Sequence, residues 1–257
     1  MPLYTNARKA RSDSYNRAMD TNTALELSRL TSDFYRRTAT SFSATRQAPW
    51  QGWERVLRHV GPSQGSSLRV FDLACGNMRF ERYLRAALET TELEAWAYDN
   101  CDALAREEDL PYVHYRNLDV VDALLCGHQL ADVIDAPPCD LAVSFGFLHH
   151  VALPEHRRAV VDALVTHTMP GGYVVVSFWQ FERDARIMAK AQPLADKGDY
   201  LLGWQGRRDV QRYCHSFCEE EVDSLASAVA EQAREVDRFS ADGKSGDLNR
   251  YLVLRRR

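Results

Sequence analysis

From residue 68 to the C-terminus the chain alternates short apolar runs, bounded by turn residues, with amphipathic stretches. Five runs stand out: Leu68 to Ala74, Leu93 to Tyr98, Tyr112 to Leu118, Asp140 to Phe145 and Tyr173 to Phe178. Between them lie helical periods, the clearest from Pro154 to Thr168. Pro154 and Glu155 suit a first helical turn, where a missing N–H costs nothing and a carboxylate meets the helix dipole. Val160, Ala163, Leu164 and His167 recur on one face, and Pro170-Gly171-Gly172 predicts the stop. Strands alternating with helices of this length form parallel βαβ units. The end of the chain differs: Arg234 to Ser240, turn residues at Asp242-Gly243 and Ser245-Gly246, then Asn249 to Arg255 predict a hairpin. The fold class is α/β, a mostly parallel seven-stranded sheet with an antiparallel C-terminal hairpin.

Two segments fall outside this alternation. Residues 1 to 60 read as a helical N-terminal extension, and residues 179 to 217 as an insertion after the fifth strand of a main domain spanning 61 to 257. Ligands of open α/β sheets bind beyond the carboxyl ends of the strands, and extra segments there are expected to cap the active site. With 45% hydrophobic and 26% charged residues, 257 residues can bury a sizeable core, which excludes a disordered or low-complexity chain. The net charge of -4 excludes nonspecific coating of a polyanion, but the charge is uneven. Residues 1 to 60 carry 10 Lys and Arg (among them Arg8, Lys9, Arg11 and Arg17) against 5 acids, so the remainder sums to -9. The insertion adds 7 basic residues against 5 acids, leaving room for a local rim that contacts phosphates. Six scattered cysteines read as reduced thiols, no apolar run reaches the ~18 residues of a membrane span, and no secretory signal is recognised, so a cytoplasmic protein is expected.

The segment Val70 to Phe80, VFDLACGNMRF, carries the first chemistry. A strand ends in Asp72, turns through Ala74, Cys75, Gly76 and Asn77, and opens into a helix near Met78 or Arg79; such a turn brings backbone N–H groups close to a ligand. Alone it is an ordinary βα turn. Asp99, 27 residues after Asp72, ends the second strand beside Asn100, where an acid can take both ribose hydroxyls. Asp119, beside Val120, follows the third strand, within reach of an adenine amino group. Either acid alone also suits a helix N-cap. Three acids at successive strand ends point to a nucleoside, and without G-x-G-x-x-G the turn does not suit a dinucleotide.

At these residues the chain resembles the class I S-adenosylmethionine-dependent methyltransferases, over residues 68 to 257. Their motif runs approximately D-x-G-C-G-x-G, against Asp72-Leu73-Ala74-Cys75-Gly76-Asn77-Met78 here, so two glycines are replaced and Met78 adds bulk where the helix starts. The resemblance implies a Rossmann-like sheet, S-adenosyl-L-methionine as cofactor, and a methyl group presented at the end of strand four, near Phe145.

A narrower resemblance appears outside the common fold. Phe34, Tyr35, Phe42, Thr45, Arg46, Pro49 and Trp50 are similar to the segment ahead of strand one in eukaryotic methyltransferases that esterify a carboxymethyl group on the wobble uridine of tRNA. The likeness returns at His149-His150, Arg157-Arg158, Ser177-Phe178-Trp179, Gly198 to Trp204 and Arg212 to Leu225; Gly203 and Cys214 depart from that family's Pro and Tyr. It implies tRNA as a partner and allows a small zinc-bearing activator subunit; no membrane or DNA partner is expected. The ionised carboxylate needs no general base, so such a site needs positioning, a cation to hold the acceptor and aromatics around the cofactor's sulfonium. His149, Arg46 and Arg212 are the candidate catalytic residues, with Tyr35, Trp50, His150, Trp179, Trp204, Tyr213 and His215 on the substrate. Arg46 could instead bind the cofactor's carboxylate.

Plainer readings accompany these. The paired His residues could be a loop pair bonded to backbone, and Trp50 and Trp53 a helix packing face. Cys214, His215 and Cys218 have unusual spacing for zinc, and no metal site is predicted. Two other functions compete: a methyltransferase acting on a small carboxylic acid, favoured by the acidic main domain, and a noncatalytic binding module, suggested by Ala74 and Met78.

Overall fold

The strands of the main sheet change partner face with every residue. Phe71 and Leu73 pack into one core cluster while Val70 packs into the other, and Val174, Val176 and Phe178 oppose Val175 in the same way. That period-two split, apolar on both faces, requires helices on both sides of the sheet. The computed structural model describes residues 19–60, 67–89, 91–105 and 110–257. The expected basic arm at Arg8, Lys9, Arg11 and Arg17 lies outside the described residues.

The main sheet contains β1 (Ser67–Leu73), β2 (Glu92–Asp99), β3 (Val113–Asn117), β4 (Cys139–Ser144), β5 (Thr168–Trp179), β9 (Ala233–Ala241) and β10 (Asn249–Arg256). Its order is β3-β2-β1-β4-β5-β10-β9, parallel from β3 to β5 and antiparallel at β10 and β9. The expected α/β fold is therefore found. The order reverses between β1 and β4, which places a crevice at their carboxyl ends.

The helices are α1 (Thr21–Ala44), α2 (Gly52–Val60), α3 (Arg79–Ala87), α4 (Asp102–Ala105), α5 (Val120–Leu125), α6 (Leu130–Val133), α7 (Pro154–Thr166), α8 (Ala185–Met188) and α9 (Glu219–Ala228). Asp20 caps α1 by accepting the Thr23 N–H. Ala24, Leu27, Thr31, Phe34 and Thr38 form its buried stripe. Among the described residues no helix is long and apolar enough to cross a membrane.

Two local expectations are corrected. Helix α7 ends at Thr166, and β5 begins already at Thr168. Pro170-Gly171-Gly172 makes an irregularity at the start of that strand, between the pairings Cys139↔Thr168 and Leu141↔Tyr173. A side chain on Gly172 would stand 2.8 Å from the Asp140 carbonyl, so close approach of two backbones sets the glycine there. The insertion, read only as an extra segment, folds as a second antiparallel sheet of β6 (Gln192–Pro193), β7 (Asp199–Trp204) and β8 (Arg207–His215). Gln205 and Gly206, with φ of 48° and 78°, make its two-residue turn.

This small sheet packs on α1. The Tyr213 N–H donates to Thr31 Oγ1 at 3.1 Å, Trp204 Nε1 donates to Ser41 Oγ at 3.0 Å, and Arg37 pairs with Asp209 at 2.9 Å. Both extra segments thus meet over the carboxyl ends of β1 and β4.

Candidate active site

A cavity of about 410 Å³ opens there, lined from the first-strand turn, α1, the β4 end, β8 and the β9–β10 turn. At its cofactor end, Ala74, Gly76 and Met78 all have left-handed backbone, with φ of 72°, 58° and 55°. Ala74 and Met78 occupy the positions where the resembled pattern has glycine, and this conformation is the reason glycine suits them. The bulk that Met78 adds falls outside the cavity. Its side chain packs with Cys75, Ala97 and Ala105 and does not line the cavity.

Asp72, Asp99 and Asp119 all line the cavity, as do Ala74, Cys75, Gly76, Asn77, Asn100, Val120 and Phe145. Asp99 accepts the Gly76 N–H at 2.9 Å and the Cys101 N–H at 2.8 Å, one on each oxygen, leaving a lone pair on each for a diol. Burial pushes its pKa up to about 6. Asp119 is the N-cap of α5; its second oxygen accepts Asn100 Nδ2 at 2.7 Å, and Asn100 also donates to Ser32 of α1. Asp119 is therefore committed to protein partners, so the adenine end would rest more on the apolar wall of Leu104, Leu118, Val120 and Val121. Asn77 donates to Ser43 Oγ and to the Arg46 carbonyl, tying α1's end to the turn.

Asp72 is backed by Glu81, which the sequence reading passed over. The Asp72 and Glu81 carboxyls face each other in the interior and hydrogen-bond through a shared proton. Burial and the facing Glu81 push Asp72 well above the usual carboxylate range, and burial pushes Glu81 up to about 7. Asp72 lines the cavity, where its carboxyl can accept from a cofactor ammonium, and the Asp99 lone pairs fit a ribose.

At the acceptor end, Tyr35, Trp50, His149, His150, Trp179, Arg46 and Arg212 line the same cavity. Arg212 is 6% exposed, and its Nε and Nη1 have no partner. Its guanidinium lies over Phe34 at 4.6 Å, and its neighbour Cys214 is a neutral thiol pushed up to about 11 by burial. Arg46 stacks on Phe42 at 4.3 Å and Trp204 at 4.9 Å. Two guanidinium groups on aromatic rings, without a carboxylate between them, form a ready anion site.

The histidines differ in what they can do. His150 Nδ1 donates to the Tyr213 carbonyl at 2.7 Å, so Nε2 must accept from the Tyr35 hydroxyl at 2.8 Å. His150 thereby positions Tyr35, and both of its nitrogens are taken. Burial, then Arg212, hold its pKa down to about 3. His149 packs against Trp179 with Nδ1 buried and unpartnered, and burial and His150 keep it neutral, well below the ordinary value. Gly146 (φ 68°) lets Trp50 approach: a side chain there would meet the ring at 3.1 Å.

Three expected substrate residues lie elsewhere. The period of β8 puts Arg212 and Cys214 on one face and Tyr213 and His215 on the other. The Tyr213 hydroxyl donates to Asp199 at 2.7 Å, and His215 sits between Asp199 and Glu221, at 2.5 Å and 2.8 Å, in a buried network that Arg157 joins. Trp204 stands behind Phe42 and Arg46. Donor atoms of His149, His150 and Cys214 lie within 4.8 Å of one another, but the two occupied nitrogens of His150 and the Arg212 cation argue against a metal there. Residues missed by sequence include Ser28, Thr31 and Ser32, which with Tyr35 form an i, i+3, i+4, i+7 stripe facing the cavity, and Arg79, Asp242 and Asn249 beyond Trp50.

No protein-family model matches the chain. It is 29% identical over 163 residues to the tRNA (carboxymethyluridine(34)-5-O)-methyltransferase of Macaca fascicularis, covering 62% of this chain and 22% of that one. It is 34% identical over 68 residues to the protein of the same activity from Arabidopsis thaliana, covering 26% and 16%. The chain spans about a fifth of the length of the mammalian relatives it matches. Among solved structures, the 1,6-didemethyltoxoflavin-N1-methyltransferase of Burkholderia thailandensis, with S-adenosylhomocysteine bound, superposes with a TM-score of 0.61 at 16% identity, covering 93% of this chain and 92% of that one. The fold is that of the class I S-adenosylmethionine-dependent methyltransferases.

Proposed function

We propose that this class I S-adenosylmethionine-dependent methyltransferase methylates a carboxylate, that of a carboxymethylated wobble uridine in tRNA. One observation carries the acceptor chemistry: a nearly buried guanidinium, Arg212, lines the cavity, and two of its nitrogens, Nε and Nη1, have no partner in the protein. Leaving such a charge unpaired is costly, and an anionic acceptor relieves it. The likeness to tRNA-modifying relatives supplies the identity of the acceptor.

The bound cofactor supplies an electrophilic methyl group on a sulfonium. The protein's part is to bind and orient. Asp72 and Asp99 would hold the cofactor's ammonium and ribose. Arg212 would fix one carboxylate oxygen and leave the other free to attack, while the Tyr35 hydroxyl, already donating to His150, adds no competing donor. An amine or alcohol would need a base; His149 and His150, held neutral with lowered pKa values, are poor ones. Their neutrality also keeps further positive charge away from a sulfonium. Trp50, Phe145 and Trp179 would enclose the reacting groups and exclude water.

Incubation with labelled cofactor and total tRNA from a strain lacking the gene tests this reading, with nucleoside separation of the digest. Label in a carboxymethylated uridine is the expected result. A labelled small carboxylic acid with unlabelled tRNA would replace the tRNA acceptor by a metabolite.

A further inference from the structure

Three guanidinium groups line the cavity: Arg212, Arg46 and Arg79. Among the described residues none forms an ion pair. Arg46 Nη1 donates to Thr45 Oγ1 at 2.7 Å, and Arg79 Nη1 donates to the Ala48 carbonyl at 2.9 Å. Arg79 Nε is buried and, like Arg212 Nε and Nη1, has no partner. The acid acting on Arg79 is Asp242, but its oxygens already accept the Gly52 N–H, Asn249 Nδ2 and the Tyr251 hydroxyl. Burial, then Arg46, lower Arg79 to about 10, which leaves it charged at neutral pH.

Cavity cations therefore outnumber the anions so far assigned. The acceptor carboxylate accounts for Arg212. The cofactor brings one carboxylate, and Arg46, whose carbonyl is bonded to Asn77 of the turn, stands ready for it. Arg79 remains. It lies 5.4 Å from the ring of Trp50 and 5.2 Å from that of Trp53, where the cavity reaches the β9–β10 turn at Gly243 and Asn249. A guanidinium fork beside a partly exposed indole matches a phosphate beside a planar base.

We propose that Arg79 forms a second anion subsite, binding a phosphate of the acceptor nucleotide while Trp50 faces its base. This rests on the reading of the acceptor as a carboxymethylated uridine and would make the site selective for a nucleotide over a simple carboxylic acid.

Binding is measured with S-adenosylhomocysteine present, so that no turnover is needed. The probes are 5-carboxymethyluridine and its 3′,5′-bisphosphate, with uridine and its bisphosphate as a second pair. The wild type should bind each bisphosphate at least about tenfold more tightly than its nucleoside, as expected for one charge-assisted contact. Arg79→Gln should bring both ratios to about one with unchanged S-adenosylhomocysteine affinity, and Arg79→Lys should retain part of the preference. A ratio unchanged in Arg79→Gln, absence of bisphosphate preference in the wild type, or loss of S-adenosylhomocysteine affinity in the variant would overturn the subsite. If the uridine pair shows the Arg79-dependent ratio but the carboxymethyl group adds no affinity, the subsite stands and the carboxylate reading fails.

Discussion

Replacing Arg212 by Met removes the charge while keeping most of the apolar stem. In the wild type the guanidinium is 6% exposed, with Nε and Nη1 unpartnered. Each buried donor left without a partner costs about 1–3 kcal/mol, so two cost about 2–6. Against this stands the contact over Phe34 at 4.6 Å, worth about 1–2 kcal/mol. The balance, about 0–5 kcal/mol, predicts that Arg212→Met is at least as stable as the wild type in the absence of acceptor, in line with other replacements of buried charges by apolar residues. For a chain of this size each kcal/mol raises Tm by about 2–4 °C. Losing the charged partner of a bound carboxylate costs about 3–4 kcal/mol, so kcat/KM for a carboxylate acceptor should fall by about 10²–10³. Thermal melting and a labelled-methyl assay on one preparation give both numbers. A lower Tm together with kcat/KM within about threefold of the wild type would show that Arg212 is a structural ion with an unseen partner, and would refute the reasoning.

Asp99→Ala should weaken S-adenosylhomocysteine binding by about 10²–10⁴, the loss of two hydrogen bonds to a charged group, measurable by titration calorimetry. Met78→Gly should leave that affinity unchanged, because the side chain points away from the cavity, yet lower stability by about 1–4 kcal/mol in denaturant melts; the vacated core space costs more than the roughly 1 kcal/mol of relieved backbone strain. His150 is held down to about 3 from an ordinary value near 6.5, so the unfolded chain takes up a proton that the folded chain refuses. Stability from this group is complete above pH 6.5 and falls by about 1.4 kcal/mol per pH unit between 6.5 and 3; His150→Phe should remove that slope from the difference between the two melting profiles.

Much of the fold was legible because its strands are buried on both faces: continuous apolar runs such as Tyr173 to Phe178 have few other interpretations, and the hairpin carries its own turn residues. The small sheet was not. Its strand β8 begins Arg207-Arg208-Asp209 and lies against a helix, so burial came from a neighbour the local pattern does not show; the Gln205-Gly206 turn was the available sign. Ala74, Gly76, Asn77 and Asp99 share one wall because successive strand ends converge. The resemblance over Arg212 to Leu225 puts Tyr213 and His215 on the substrate side with Arg212, and strand alternation turns them away. Glu81 was hidden as an ordinary first-turn acid of α3; only burial against Asp72 gives it another character.

The central claim is that the accepting atom is a carboxylate oxygen. Its most direct test is the alkali lability of the transferred group. The protein is incubated with methyl-labelled cofactor and tRNA, and the product is treated with mild base. A methyl ester releases its label as volatile methanol, and this account predicts release of essentially all of it. Label that stays with the nucleoside through base would place the methyl group on nitrogen, carbon or an ether oxygen, and would contradict the account.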